Sequence, residues 1–192
     1  MSAYIIIGVI AIVVIIFFIA AIKTRNKFVV LRNRVNDQAA QIDVQLKRRF
    51  DLIPNLISVV KGQAGFEKNT LESVVQARTH AMNSSGNVIQ SAAANDMLTG
   101  ALHRMLAVAE NYPDLKSNAG FIQLQMELSE TENKIAHTRQ FYNDVVLKYN
   151  NGIQMFPASI IAGIFGFSQQ AFLAANDIER EVVKISADDF KV

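Results

Sequence analysis

The chain contains no cysteine, only three prolines and only nine glycines among its 192 residues. The lack of cysteine removes the thiolate ligands that most structural zinc sites use. It fits a reducing compartment, but it fits exported bacterial proteins as well, so it does not decide the location of the protein. Few turn-forming residues and long periodic segments between them predict an all-α fold.

The beginning of the chain also lacks charge. An apolar run starts at Ile5 and ends at Ile22, and no polar stripe interrupts it. A helix of that length spans about 27 Å, close to the roughly 30 Å of a bilayer's hydrocarbon core. A cleaved signal peptide is the alternative, but the residues before the run carry no charged side chain and residues 19–22 form a poor cleavage site. We therefore predict an uncleaved transmembrane anchor over residues 1–23.

The charges that follow the anchor are all positive until Asp37. Residues 1–36 carry a net charge of +5, which leaves −3 on residues 37–192. The positive-inside rule then predicts an amino terminus outside and a domain in the cytoplasm. The net negative charge of this domain argues against nucleic acid as a main partner, because a phosphate-binding surface needs clustered cations on the folded domain. We expect the lipid bilayer to be a partner instead, with anionic headgroups contacting Lys23, Arg25 and Lys27.

Apolar residues recur every three or four positions beyond the anchor, from Leu31 to Val60. This period is that of one face of a helix, so the anchor is predicted to continue into a long cytoplasmic helix. Pro54 lies inside it, removes the hydrogen bond to the Phe50 carbonyl and is expected to kink the helix. If the helix ends near residues 62–65, an antiparallel bundle of four helices results, and otherwise one of three.

Turn-forming residues divide the rest of the bundle. Residues 83–87 form a loop by composition, and a helix is predicted from there to residue 111. A further long helix begins after Asn118, a residue suited to an N-cap, and is expected to end at Gly152. The predicted organisation is thus an anchor, a bundle over residues 24–167 and an acidic tail over residues 168–192.

A short apolar stretch closes the bundle, from Ile153 to Phe167. It is too short to span a bilayer. In a three-helix bundle it would cap the open end far from the membrane. In a four-helix bundle it would return to the bilayer, where an interfacial position is the second interpretation. The sequence leaves both open.

One segment, IDVQLKRRFDLIPNL at residues 42–56, resembles the signature of the LemA family of bacterial membrane proteins. Further matching blocks follow in order, so the resemblance covers roughly residues 32–167. These blocks are VKG (60–62), ENYPDLK (110–116), TENKIA (131–136), RQFYN (139–143), YN (149–150), FP (156–157) and FGF (165–167).

The resemblance implies a bacterial inner-membrane protein with one amino-terminal anchor and a cytoplasmic bundle of long helices. Genes of this family often accompany those of membrane metalloproteases, which implies a role beside a membrane protein partner. The family pattern departs from this chain at residues 63–66, Gln-Ala-Gly-Phe, where an aromatic residue and a histidine are usual. The resemblance therefore supplies a class of protein and no mechanism.

The cationic part of the signature has two interpretations. Lys47 lies about 38 Å beyond Ile22 along a straight helix, whereas the Debye length is only about 8 Å at physiological salt. This distance argues against contact of these cations with the chain's own membrane. In the structural interpretation, these cations pair with Asp43 and Asp51 along the helix, as Asp43 and Lys47 could, or with the acids of a neighbouring helix. The alternative is a partner-docking patch made of Lys47, Arg48, Arg49, Asp51 and Pro54.

Three polar residues lie on or beside the apolar stripe of the last long helix: Glu132, Arg139 and Tyr142. Polar groups that face a core are costly unless they are paired, so a buried network with the first helix is predicted. A carboxylate pair for catalysis or for two metal ions is the rival interpretation. The Glu-x-x-His spacing of such di-metal bundles is missing.

No other motif indicates chemistry. The three histidines are scattered, and the sequence has no zincin motif, phosphate-binding glycine loop or nucleophile elbow. We therefore expect no cofactor, metal or small-molecule substrate. The predicted function is a non-enzymatic membrane-anchored scaffold or adaptor that associates with itself. A regulatory partner of a membrane enzyme is the alternative, and a metal-dependent hydrolase is a third, weaker one.

Overall fold

The computed structural model describes residues 2–63, 65–84 and 86–174, with side chains from Ile5 onward. In these ranges the chain is helical and has no strand, which confirms the all-α prediction. Most of the predicted acidic tail, residues 175–192, lies outside the described residues. The helices are α1 (Ser2–Lys61), α2 (Lys68–Asn83), α3 (Val88–Ala109), α4 (Pro113–Lys116), α5 (Ala119–Gln154) and α6 (Ala158–Ile164).

Helix α1 joins the apolar run to the bundle without a break. It has 60 residues, which corresponds to a length of about 90 Å. Between Ile5 and Ile22 its large apolar side chains are 46–66% exposed. The described remainder of the chain therefore leaves this part of α1 uncovered, as a lipid-facing helix requires.

Pro54 does not end α1, which continues to Lys61. Proline has no N–H, so the Phe50 carbonyl one turn earlier loses its helical donor. Arg78 of α2 supplies a replacement, since its Nε donates a hydrogen bond of 2.8 Å to the Phe50 oxygen. The sequence indicated the lost bond but not the residue that replaces it.

The end of α1 at Lys61 decides the number of helices in the bundle. Gly65 follows with a positive φ of 81°, which favours a turn at this point. Helices α1, α2, α3 and α5 then alternate in direction, because each connection reverses the chain. The bundle is the four-helix form, so α5 returns toward the anchor.

The four helices meet in a distal core, on the side of the bundle far from the anchor. Its buried side chains come from α1, α2, α3 and α5, and Leu115 of α4 joins them. Apolar spacing of three and four residues brings one face of each helix inward. The central members are Ile53, Leu56, Val60, Leu71, Val74, Leu98, Leu102, Met105, Phe121 and Leu128.

A proximal core lies nearer the anchor and is built mainly from two long helices, α1 and α5. The short helix α6 and the segment after it complete this core. Its buried members include Phe28, Val35, Ile42, Leu46, Ile135, Tyr142, Val146, Tyr149, Ile153, Ile161, Ala162 and Leu173.

Helix α5 passes through Gly152, where the sequence predicted its end, and stops at Gln154. A Cβ at this position would lie 3.5 Å from Cε1 of Phe28 and 3.7 Å from Cδ1 of Leu31. These are ordinary van der Waals distances, so the packing of α5 on α1 does not require a glycine here. Gly152 lies inside α5, two residues before its end, and the prediction that the helix ends at this glycine was wrong.

Residues 167–174, which we call the strap, run back along α5 in extended form. Asn150 donates to the Gln170 carbonyl and accepts from the Gln170 amide, at 2.8 and 2.9 Å. Asn143 holds the carbonyl and amide of Leu173 in the same way, both at 2.9 Å. The packed part of the bundle thus extends past residue 167, the boundary predicted from sequence.

Candidate functional site

The most unusual side chain of the bundle is Arg49 of α1, which is only 1% exposed. Its Nη1 donates to Oδ1 of Asn95 at 3.1 Å and to Oγ1 of Thr99 at 2.9 Å, both on α3. Its Nη2 reaches Oε2 of Glu132 on α5 at 3.5 Å. One arginine therefore links three helices at the boundary of the two cores.

Helical spacing explains why Arg49 faces inward. The buried positions of α1 run through Ile42, Leu46, Arg49 and Ile53, with steps of four, three and four. Phe50, the apolar neighbour of Arg49, is half-buried beside this stripe. The same spacing also fits Phe50, so the sequence alone does not show which of the two neighbours is buried.

A second ion pair adjoins the first. Arg139 of α5 donates from Nη1 to Oδ1 of Asp96 on α3 at 2.7 Å, and from Nη2 to the Ala174 carbonyl at 2.7 Å. The arginine cluster therefore contains two cations, Arg49 and Arg139, and two carboxylates, those of Asp96 and Glu132. These charges cancel.

Burial dominates the electrostatics of Arg49. It lowers the pKa of the guanidinium, and the carboxylates of Glu132 and Asp96 act in the opposite direction. Arginine stays charged in proteins even so. Its Nε is buried without a hydrogen-bond partner among the described residues. The cation is thus held by its two terminal nitrogens alone.

The arginine cluster leaves little room for a substrate. The cavity that it lines measures about 30 Å³, far below the roughly 300 Å³ at which ligand pockets begin. His103 approaches Glu132, with Nε2 3.7 Å from Oε2. Across the described ranges, no group of three histidine, aspartate or glutamate residues could hold a metal ion. The arginine cluster is instead suited to fixing the relative orientation of α1, α3 and α5.

Of the three residues predicted to form a buried polar network, the structure brings two together. Glu132 and Arg139 belong to the arginine cluster. Tyr142 lies apart from it, and its hydroxyl donates to the Ala171 carbonyl of the strap at 3.2 Å. Burial raises the pKa of Tyr142. Nothing in the sequence indicated that residues of α5 would hold an extended backbone segment.

The residues predicted to dock a partner divide into two sets. Lys47, Arg48, Asp51 and Pro54 are exposed, whereas Arg49 points into the bundle. Arg49 therefore cannot contribute to a surface patch. Its inward direction follows from its place on the buried stripe of α1.

Of the two aspartates expected to pair with the cations of the signature, Asp51 is the one that contacts Lys47. Its Nζ lies 2.7 Å from Oδ2 of Asp51, and both side chains are more than 60% exposed. Asp43 instead borders an open groove of about 390 Å³ between α1 and the end of α2, whose floor includes Leu46, Phe50 and Met82. Partial burial raises the pKa of Asp43. An exposed charge pair thus borders an apolar groove.

A long amino-terminal helix, uncovered where it is most apolar, and a bundle with a charge-balanced interior define a class: helical membrane proteins with one anchor. The LemA family model matches residues 38–186. The chain belongs to the LemA family, as its sequence motifs suggested, and it is a membrane-associated protein.

Three curated relatives are bacterial proteins. Protein LemA of Metamycoplasma hominis is 26% identical over 174 residues, which cover 89% of this chain and 78% of the relative. Magnetosome protein MamQ 2 of Paramagnetospirillum magneticum is 26% identical over 190 residues, covering 85% and 70%. Magnetosome protein MamQ of Magnetospirillum gryphiswaldense is 23% identical over 186 residues, covering 83% and 68%. None of these relatives is named as an enzyme.

Proposed function

We propose that the chain is a non-enzymatic scaffold of the bacterial inner membrane, with its amino terminus outside and its bundle in the cytoplasm. The observation that carries this proposal is the continuity of α1. One helix provides the anchor and one wall of both cores. A force or position imposed on either end is therefore transmitted to the other through helical backbone.

The geometry gives the scaffold its reach. Lys47 and Pro54 lie 25 and 32 residues beyond Ile22 on α1, or about 38 and 48 Å along its axis. Their side chains point to solvent. The scaffold thus presents an exposed surface well beyond the range of membrane electrostatics, which falls off within roughly 8 Å.

Self-association is part of the proposal. The anchor presents apolar side chains on all sides, and helices in lipid associate through packing of such surfaces. In the cytoplasm the outer face of α1 carries Val30 and Val44, which are 51% and 63% exposed. Both lie on the helix that would bring two copies together.

A regulatory partner of a membrane enzyme is the second candidate function. It is favoured by the groove at Leu46, Phe50 and Met82, which is apolar and bordered by the charges of Lys47 and Asp51. A partner segment with an apolar side chain and flanking charges would fit this site. The two candidates differ in what contacts the outer part of α1.

Crosslinking in cells separates the two candidates. Because the natural chain has no cysteine, a cysteine-linked photocrosslinker can be placed singly by Val44→Cys or Arg48→Cys. Val75→Cys, on an exposed position of α2, is the matched control. Adducts between copies of the chain at positions 44 and 48, but not 75, support the scaffold. One defined foreign protein supports the regulatory role, and no adducts above control contradict both.

The orientation has its own test. Cysteines introduced by Ser2→Cys and Ser168→Cys should react with an impermeant maleimide from opposite sides of the membrane. We expect labelling of position 2 in intact cells and of position 168 only after lysis. Labelling of position 168 from outside would reverse the proposed topology.

A further inference from the structure

The surface around α6 is apolar and exposed. Phe156 and Ile164 are 83% and 71% exposed, and Met155, Ile160 and Phe165 are exposed as well. We call these five residues the α6 face. The sequence has no charged residue from position 149 to position 176. Exposed apolar patches of this kind mark protein or membrane contacts.

Contacts with α1 show the position of the α6 face along the axis of α1. The guanidinium of Arg25 lies 5.3 Å from the ring centroid of Phe165. Phe167, two residues on, packs on Phe28 with ring centroids 5.3 Å apart. Ala21 packs against the same proximal core that holds Ile161. Helix α6 thus lies beside residues 21–28 of α1.

This level coincides with the membrane surface. The apolar run ends at Ile22, so Arg25 lies about 4–5 Å beyond its end along α1. The polar interfacial layer of a bilayer is roughly 5–8 Å thick on each side. A face at the height of residues 21–25 is therefore inside or against that layer.

We propose that the α6 face is a second membrane contact, inserted into the interfacial layer of the bilayer that the anchor spans. The proposed contact is with lipid, because the α6 face lies beside the anchor at the height of the headgroups. The exposed aromatic rings of Phe156 and Phe165 suit this region, and Lys23, Arg25 and Lys27 nearby suit anionic headgroups.

The second contact gives the bundle a fixed orientation. A single spanning helix on its own can rotate about its axis and tilt. Neighbouring helices and interfacial anchors restrict these two motions. The α6 face lies on one side of α1, so its insertion turns that side toward the membrane. This inference rests on α1 being the anchor and not on the scaffold function.

Tryptophan fluorescence tests the proposal on the full chain, because the natural sequence has no tryptophan. Single reporters are introduced by Phe156→Trp and Ile164→Trp, in vesicles of phosphatidylcholine and phosphatidylglycerol. Met126→Trp, at an exposed position of α5, is the negative control. Phe17→Trp, inside the anchor, is the positive control.

Lipids brominated on the acyl chains should quench both α6 reporters. We expect a loss of about half of their emission, since interfacial segments insert roughly 5–10 Å and come close to the bromines. The reporter at 126 should be unaffected. Quenching at 17 without quenching at 156 and 164 would overturn the proposal. Blue-shifted but unquenched emission at 156 and 164 would overturn it as well, because protein would then cover the face.

The positive control separates two kinds of failure. If the reporter at 17 is also unquenched, the anchor itself does not enter the bilayer, and the membrane attachment is wrong together with the second contact. If only the α6 reporters are unquenched, the anchor and the proposed scaffold function are unaffected.

Discussion

The distal and proximal cores differ in how they are closed. Four helices surround the distal core, and apolar side chains from each meet inside it. The proximal core has only α1 and α5 as long walls, and α6 with the strap completes it. Hydrogen bonds from Asn143 and Asn150 to the strap backbone help to hold that side closed. The half nearest the anchor is therefore closed by a short helix and a segment without helical structure, while the distal half is closed by the packing of four helices.

The arginine cluster lies between these halves, and its loss should have the largest effect. We expect Arg49→Ala to reduce the free energy of unfolding by about 3 kcal/mol, at the low end of the cost of breaking a buried ion pair because Glu132 is partly hydrated. Urea titrations in detergent micelles, followed by far-UV circular dichroism, would measure this change in the free energy of unfolding. Arg48→Ala, at the exposed neighbouring position, is the control and should change stability by less than about 0.5 kcal/mol. Equal effects would contradict the buried position of Arg49.

Truncations in the two cores test the comparison directly. Leu98→Ala in the distal core should cost about 3 kcal/mol, because a cavity forms among four helices that cannot collapse. Ile161→Ala on α6 should cost about 1–2 kcal/mol, since α6 can shift or detach in place of leaving a full cavity. The same titrations measure both variants. A larger loss for Ile161→Ala would show that the proximal half is the more cooperative one.

Removal of one asparagine from α5 should loosen the strap selectively. Asn150→Ala leaves the Gln170 amide and carbonyl without their partners, at a cost of about 1–2 kcal/mol. Hydrogen exchange of the amides at Gln170 and Leu173 should quicken, whereas distal amides in α2 and α3 should keep their protection. Asn151→Ala, at the exposed adjacent position, is the control. An unchanged exchange rate at Gln170 would contradict the hydrogen bonds between Asn150 and the strap.

The smallest expected effect concerns pH. Burial raises the pKa of Tyr142 in the folded state above the value of about 10 for an exposed tyrosine. The neutral phenol is therefore favoured by folding, so its contribution is fully present below pH ~10 and is lost as pH rises through the folded pKa. Unfolding free energies from pH 8 to 11 should fall less steeply in Tyr142→Phe than in the natural chain. Identical slopes would contradict the burial of Tyr142.

The helical architecture could be predicted from the sequence because it depends on local signals. Hydropathy predicted the anchor, the 3.6-residue period predicted α1, and the composition of residues 83–87 predicted a loop. The end of α1 near residue 62 was one of two alternatives, since glycine permits a turn without requiring it. These features repeat over many residues, so single deviations do not hide them.

The contacts of the candidate site could be predicted only in part. Arg49 and Phe50 are neighbours on α1, and a period of 3.6 does not decide which of them enters the core. Gly152 was expected to end α5, but glycine permits a helix end without requiring one, and α5 continues to Gln154. The strap is held by hydrogen bonds to its backbone. Backbone groups are the same in nearly all residues, so the sequence does not indicate these bonds. Such contacts become visible only when distant segments are placed together.

Continuity of α1 from the membrane into the distal core is the central claim, and one distance measurement tests it most directly. Spin labels attached after Ile19→Cys and Asn55→Cys, in nanodiscs diluted with unlabelled chain, lie 36 residues apart on α1. Pulsed electron paramagnetic resonance should give a narrow distribution near 54 Å, as about 1.5 Å per residue requires. A broad distribution or a clearly shorter mean distance would show a joint between anchor and bundle and would contradict the account.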